Sequence, residues 1–139
     1  MLLVETRLGL SEIHGIGVFL TQPVQKGQVI WQFDTRIDRV YSQEDVEALP
    51  PLQSKLIDTY ATWHKGLKMW MLCGDNARHF NHSEAPNTVS DGIAFGTDVA
   101  AYDLEAGVEL TSDYRTICDH MRDAGGFAQL TWLKGVPHL

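Results

Sequence analysis

Asn76-Ala77-Arg78-His79-Phe80-Asn81-His82-Ser83-Glu84-Ala85-Pro86-Asn87 is the stretch on which the fold of this chain turns. With Gly74 and Asp75 before it, it gathers amide side chains, an Asn-His-Ser run and a proline into one segment. A surface turn rarely needs so many hydrogen-bonding side chains. Buried, they form a network that fixes a non-repetitive backbone and aims its carbonyl and N–H groups. Taken alone, that chemistry implies a hydrogen-bonded loop and nothing further. Two other segments bear on it. Gly15-Ile16-Gly17-Val18-Phe19-Leu20 reads as a glycine turn leading into a strand, and Glu109-Leu110-Thr111-Ser112-Asp113-Tyr114 as a strand ending at a tyrosine.

Around these the pattern is of short strands punctuated by glycine. Leu2 to Leu8 and Val29 to Phe33 have strand character, separated by the turn Gln25-Lys26-Gly27. Ser42-Gln43-Glu44-Asp45 is a capping box that opens a short helix, which Pro50-Pro51 must end. Leu52, Leu56 and Tyr60, with Ile57, keep helical spacing. Leu67 to Leu72 returns to strand, with Leu67, Met69 and Met71 on one face. Further strands are predicted near Thr88-Val89, Ile93-Ala94-Phe95 and Val99 to Tyr102. The turn Leu104 to Gly107 then leads into Val108 to Thr111, and a helical turn follows from about Ile117. Close strands without βαβ alternation, and one helical insert, predict a mainly β domain of several small sheets.

A chain of 139 residues buries enough surface for one domain and one core. Eleven basic against eighteen acidic side chains give a net charge of −7, which argues against a nucleic-acid surface and suits a basic protein partner. The two cysteines, Cys73 and Cys118, are far apart and read as reduced thiols. The N-terminus lacks the pattern of a signal peptide, and no apolar run approaches the ~20 residues of a membrane span. A soluble, intracellular protein is expected.

Three other chemistries fall away. The Gly15-Ile16-Gly17 pair is followed by strand, not by the third glycine and helix of a dinucleotide site. His79 and His82, with Cys73 and Asp75 near them, lack the second ligand pair of a structural zinc site, so no metal is expected. Ser83 is not set in the G-x-S-x-G elbow of a hydrolase.

The three segments, in their order, resemble the SET-domain protein-lysine methyltransferases. Gly15-Ile16-Gly17-Val18-Phe19 resembles that family's GxG strand. Asn76 to Ser83 with Pro86-Asn87 resembles its N-x-A-R-F-x-N-H-S-C-x-P-N loop, and Leu104 to Tyr114 its I-x-x-G-E-E-L-T-x-D-Y segment. The likeness covers about residues 10 to 115. Glu84 stands where many members have cysteine, and His79 occupies a position where a hydrophobic residue is usual. No cysteine triad follows Tyr114, so the zinc-binding tail of many members is not expected.

The resemblance implies a SET (β-clip-like) fold with a C-terminal pseudoknot that places Tyr114 beside Asn81. It implies a single domain over residues 1–139, with a helical insert at about 42–66 and a C-terminal lid at about 117–139. It also implies S-adenosyl-L-methionine as cofactor and the side-chain amine of a protein lysine as methyl acceptor. Gly15, Ile16, Gly17, Arg78, Asn81, His82, Tyr114 and Trp132 would hold the cofactor, with Phe127 an alternative to Trp132 for stacking on adenine. Tyr114 and Tyr60 would be the catalytic and channel tyrosines. The competing reading of Tyr60 is a helix core residue. The competing reading of the whole chain is a non-catalytic SET-like module that binds a peptide or protein.

Overall fold

The computed structural model describes residues 1–64, 67–91 and 96–117. In chain order the strands are β1 (Thr6–Leu10), β2 (Ile16–Leu20), β3 (Val29–Gln32), β4 (Arg39–Ser42), β5 (Ala61–His64), β6 (Met69–Leu72), β7 (Asn81–His82), β8 (Thr88–Ser90), β9 (Thr97–Ala100) and β10 (Glu109–Ser112). The helices are α1 (Gln43–Glu47), α2 (Pro51–Tyr60) and α3 (Tyr114–Ile117), and Asn76–His79 forms a 3-10 turn. Among the described residues the strands fall into three small sheets, ordered β1-β2-β10-β7, β3-β9-β8 and β4-β6-β5. The mainly β architecture of several small sheets is therefore as the sequence implied.

Details differ, each for a physical reason. The first strand begins at Thr6, because Leu2 has left that sheet to bridge Trp31 and the Leu3 amide donates to the Ile30 carbonyl, 2.8 Å away. The capping box at Ser42 forms, with Ser42 Oγ accepting from the Asp45 amide at 3.0 Å and the Asp45 carboxylate accepting from the Ser42 amide at 2.9 Å. Its helix ends at Glu47, and Pro51 then starts α2, where a missing N–H costs nothing. The helical part of the insert stops at Tyr60, since Ala61–His64 pairs with β6 as an edge strand. The expected strand at Ile93 to Phe95 lies outside the described residues.

β6 shows no simple in-and-out alternation, because it is the middle strand of its sheet and is covered on both faces. Met71 joins a core with Val18, Leu20, Ile30, Phe80 and Leu110, while Trp70 and Leu72 join a second with Val46, Ile57 and Ala61. Val18, Ile30 and Leu110 are wholly inaccessible, each worth about 1.5–3 kcal/mol of burial.

The first sheet contains the feature that matters for function. β10 runs antiparallel to β2, with Glu109 opposite Phe19 and Leu110 opposite Val18, and parallel to β7, with Thr111 opposite Asn81 and Ser112 opposite His82. Between β7 and β10 the chain makes the β8–β9 hairpin of another sheet before returning to lie between β2 and β7. The returning strand thus passes alongside the Asn-His-Ser segment, as the resemblance implied for Tyr114 and Asn81.

Candidate functional site

Alternation along β2 and β10 divides the site into two faces. Gly17 and Phe19 share a face with Glu109, whereas Ile16 and Val18 share the other with Leu110. On the first face the Glu109 carboxylate accepts from Ser11 Oγ at 2.8 and 2.9 Å and from Asn81 Nδ2 at 2.8 Å. Asn81 Nδ2 also lies 3.0 Å from the His14 carbonyl and 3.2 Å from that of Ile16. One buried amide therefore ties the turn before β2 to the β7 segment, and Glu109 anchors both.

The two glycines of the motif have different reasons to be glycine. Gly15 sits at φ +50 in the turn, a left-handed conformation that side chains rarely adopt. Gly17 gives room to Glu109: a Cβ there would come within 2.2 Å of the carboxylate oxygen. The Asn81 side chain is thus wholly engaged by Glu109 and by the backbone around Gly15. Ile16 itself is half-exposed.

The Asp75 to Asn87 stretch is organised by its own side chains. Asp75 caps the 3-10 turn, accepting from the Ala77 amide at 3.0 Å and from the Leu2 amide at 2.6 Å. Arg78 Nε donates to the Asp75 carbonyl at 3.3 Å. Asn87 acts as a backbone surrogate for β10: its Oδ1 accepts from the Thr111 amide at 2.8 Å and its Nδ2 donates to the Glu109 carbonyl at 2.7 Å. The Thr88 hydroxyl donates to the Thr111 carbonyl at 2.8 Å.

Tyr114 follows β10 and is held at both ends. Its hydroxyl donates to the Phe80 carbonyl, and its amide donates to His82 Nδ1 at 3.1 Å. The His82 and Tyr114 rings meet edge to face, with centroids 5.5 Å apart. Burial, outweighing Asp113, holds the His82 imidazole below its ordinary pKa. Arg115 grips the Asp113 carboxylate at 2.9 and 2.8 Å, which keeps that acid below the usual range, and lies 3.6 Å from Glu84.

Tyr60 ends α2, partly exposed, with its ring edge-on to His79 at 5.5 Å. It is therefore a neighbour of the 3-10 turn, not a member of the second core. Gly15, Ile16, Gly17, Asn81, His82 and Tyr114 are brought together by the β2-β10-β7 arrangement. Arg78 lies on the adjoining turn, and Trp132 and Phe127 are outside the described residues. Ser11, Glu109 and Thr111 join the site without having been legible as site residues in the sequence. The available signal was an acid at the start of one strand and, on another, a glycine that no turn requires.

Among the described residues no group of three or more His, Cys, Asp or Glu is arranged to hold a metal ion. No helix among them is long and apolar enough to cross a membrane. The buried Cys73 thiol is pushed above its ordinary pKa by desolvation and by nearby carboxylates, as expected of an unreactive core thiol.

A family model described as SET domain matches residues 15–115. A search of curated proteins finds no match. Among solved structures, a Plasmodium falciparum protein designated a candidate histone methyltransferase is similar at 19% identity and a TM-score of 0.56, over 80% of this chain and 93% of that one. A humanized mutant of the Chaetomium thermophilum Polycomb Repressive Complex 2, bound to the inhibitor GSK126, matches at 17% identity and a TM-score of 0.60. An apo form of that complex, substituted in Ezh2, matches at 19% and 0.62. Both complex matches cover 80% of this chain and only 15% of the other. At these identities the likeness is one of fold.

Proposed function

Because the chain belongs to the SET-domain family, we propose that it is a protein-lysine methyltransferase that uses S-adenosyl-L-methionine. The observation that carries the proposal is the parallel pairing of β10 with β7, which sets Tyr114 against His82 and beside Phe80 and Asn81. Gly15, Ile16, Gly17, Asn81 and His82 would hold the cofactor largely through main chain, with Arg78 at the edge. Trp132 or Phe127 would stack on adenine as part of a lid at about 117–139. The fit rests on three features: open space over Gly15, an Asn81 side chain fully engaged within the protein, and an aromatic wall made by Tyr114. Bound there, the cofactor supplies a methyl group on a positively charged sulfur.

The chain's own work is to prepare the amine. Free lysine, with a pKa of about 10.4, is protonated at neutral pH and must lose a proton to become a nucleophile. A dry channel and a neighbouring positive charge both favour the neutral amine. The Tyr114 hydroxyl donates its proton to Phe80, so its oxygen is left as an acceptor. Such an oxygen orients an amine N–H and fixes its lone pair along one line, which is the main advantage an enzyme offers here. Tyr60, at the end of α2 and against His79, would form a second channel wall. The substrate is an extended, lysine-bearing segment of a basic protein. The net charge of −7 and the description of one fold neighbour as a candidate histone methyltransferase support that choice.

Transfer of label from methyl-labelled cofactor to core histones and to the basic proteins of a host lysate is the direct test. Label is expected on lysine, and Tyr114→Phe is expected to lower the rate by roughly a hundredfold with folding intact. Cofactor binding without transfer to any protein would favour the non-catalytic binding module instead.

A further inference from the structure

We infer that His82 is the positioning residue of Tyr114, and that it holds the tyrosine only while its imidazole is neutral. The Tyr114 amide donates to Nδ1 at 3.1 Å. A ring nitrogen that accepts carries no proton, so in the folded state the imidazole's proton sits on Nε2. The ring itself lies edge-on to the Tyr114 ring, and β7 is locked to β10 by the register of His82 with Ser112. Tyr114 is thus held by His82 at its amide and by Phe80 at its hydroxyl. Loosening one end frees the other to wander.

Among the described residues three charged groups face the imidazole: Asp113 from the link after β10, Arg115 from α3, and Glu84 from the segment after β7. The Asp113 carboxylate is 3.7 Å from the same Nδ1. Protonation turns Nδ1 into a donor. It then confronts the Tyr114 N–H, donor against donor, while the carboxylate within reach of a small ring rotation becomes its preferred partner. Burial and Arg115 oppose that protonation, and Asp113 and Glu84 favour it. Falling pH therefore exchanges a His82–Tyr114 contact for a His82–Asp113 ion pair, and α3 loses the bond that fixes its first residue. The consequence for an aligned amine rests on the transferase reading above; the contact itself does not.

The test needs no substrate. In the full chain, NMR should show the His82 ring and the Tyr114 amide titrating with one midpoint. Hydrogen-exchange protection of that amide should fall roughly tenfold as the imidazole protonates. His82→Asn keeps an acceptor close to the Nδ1 position without a titrating group, so the Tyr114 amide should stay protected and independent of pH. His82→Leu removes the acceptor and should leave the amide unprotected throughout. A Tyr114 amide indifferent to the His82 titration would overturn the inference. So would an Asn variant whose amide titrates as the wild type does. If the Leu variant does not fold, the wild-type titration and the Asn variant decide the matter. A protein that shows the coupling but transfers no methyl group would refute the transferase reading and leave this one standing.

Discussion

At the scale of single residues, Gly17 and Glu109 explain each other. The glycine was legible in the sequence as part of a motif, but its cause was not, since the acid that occupies the space lies on a strand far along the chain. Gly17→Ala is expected to cost about 2 kcal/mol, because the new methyl must displace a carboxylate already engaged by Ser11 and Asn81. Glu109→Ala is expected to cost a similar amount, about 1.5–3 kcal/mol, through lost charge-assisted hydrogen bonds. The two should not add: with the carboxylate gone, the methyl has room. Urea unfolding of the single and double variants should give a double-variant cost at least about 1 kcal/mol below the sum. Additive costs would mean that the steric pairing is not what requires glycine. Asn87 carries the same lesson. Its identity suggested a polar loop, yet its amide completes the ladder of β10, a long-range contact that no local pattern could announce.

At the scale of elements, the strands that were readable were those with local turn or capping chemistry. β2, β3, β6 and the opening of α1 followed from glycine turns, β-branched and aromatic runs and a capping box. β4 and β5 were missed although Val40, Tyr41, Thr62 and Trp63 suit a strand, because runs of four residues are fixed by pairing with β6 and not by a local pattern. The β3-β9-β8 sheet shows how pairing changes chemistry as well as shape. Asp98 faces Trp31 across one ladder and Ser90 across the other, and burial with the nearby Asp91 pushes its pKa up to about 6. A carboxyl raised in the fold stabilises it below the ordinary value of 3.8, and that contribution is lost as pH rises to about 6. Above that pH the sheet holds a largely buried charge at a cost of about 3 kcal/mol. Asp98→Asn should therefore raise the melting temperature at pH 7.5 by roughly 10 °C and leave it nearly unchanged near pH 4, as followed by circular dichroism. An equal change at both pH values would show that the charge is not the cause.

At the scale of the whole molecule, the fold's contribution is a crossing. Two segments that are separate in sequence, Asn81-His82 and Thr111-Ser112, become parallel neighbours, and the tyrosine that follows is fastened to the first of them at its amide and to Phe80 at its hydroxyl. The order and spacing of the motifs made this crossing legible through family resemblance. Composition and periodicity alone reached only a β-rich domain. A crystal structure with the demethylated cofactor, S-adenosylhomocysteine, tests the account most directly. The ligand's amino-acid end is expected against the main chain of Ile16 and Gly17, its adenine edge by Asn81 and His82, and its sulfur facing the Tyr114 hydroxyl. A ligand bound elsewhere on the protein, or a sulfur turned away from Tyr114, would contradict it.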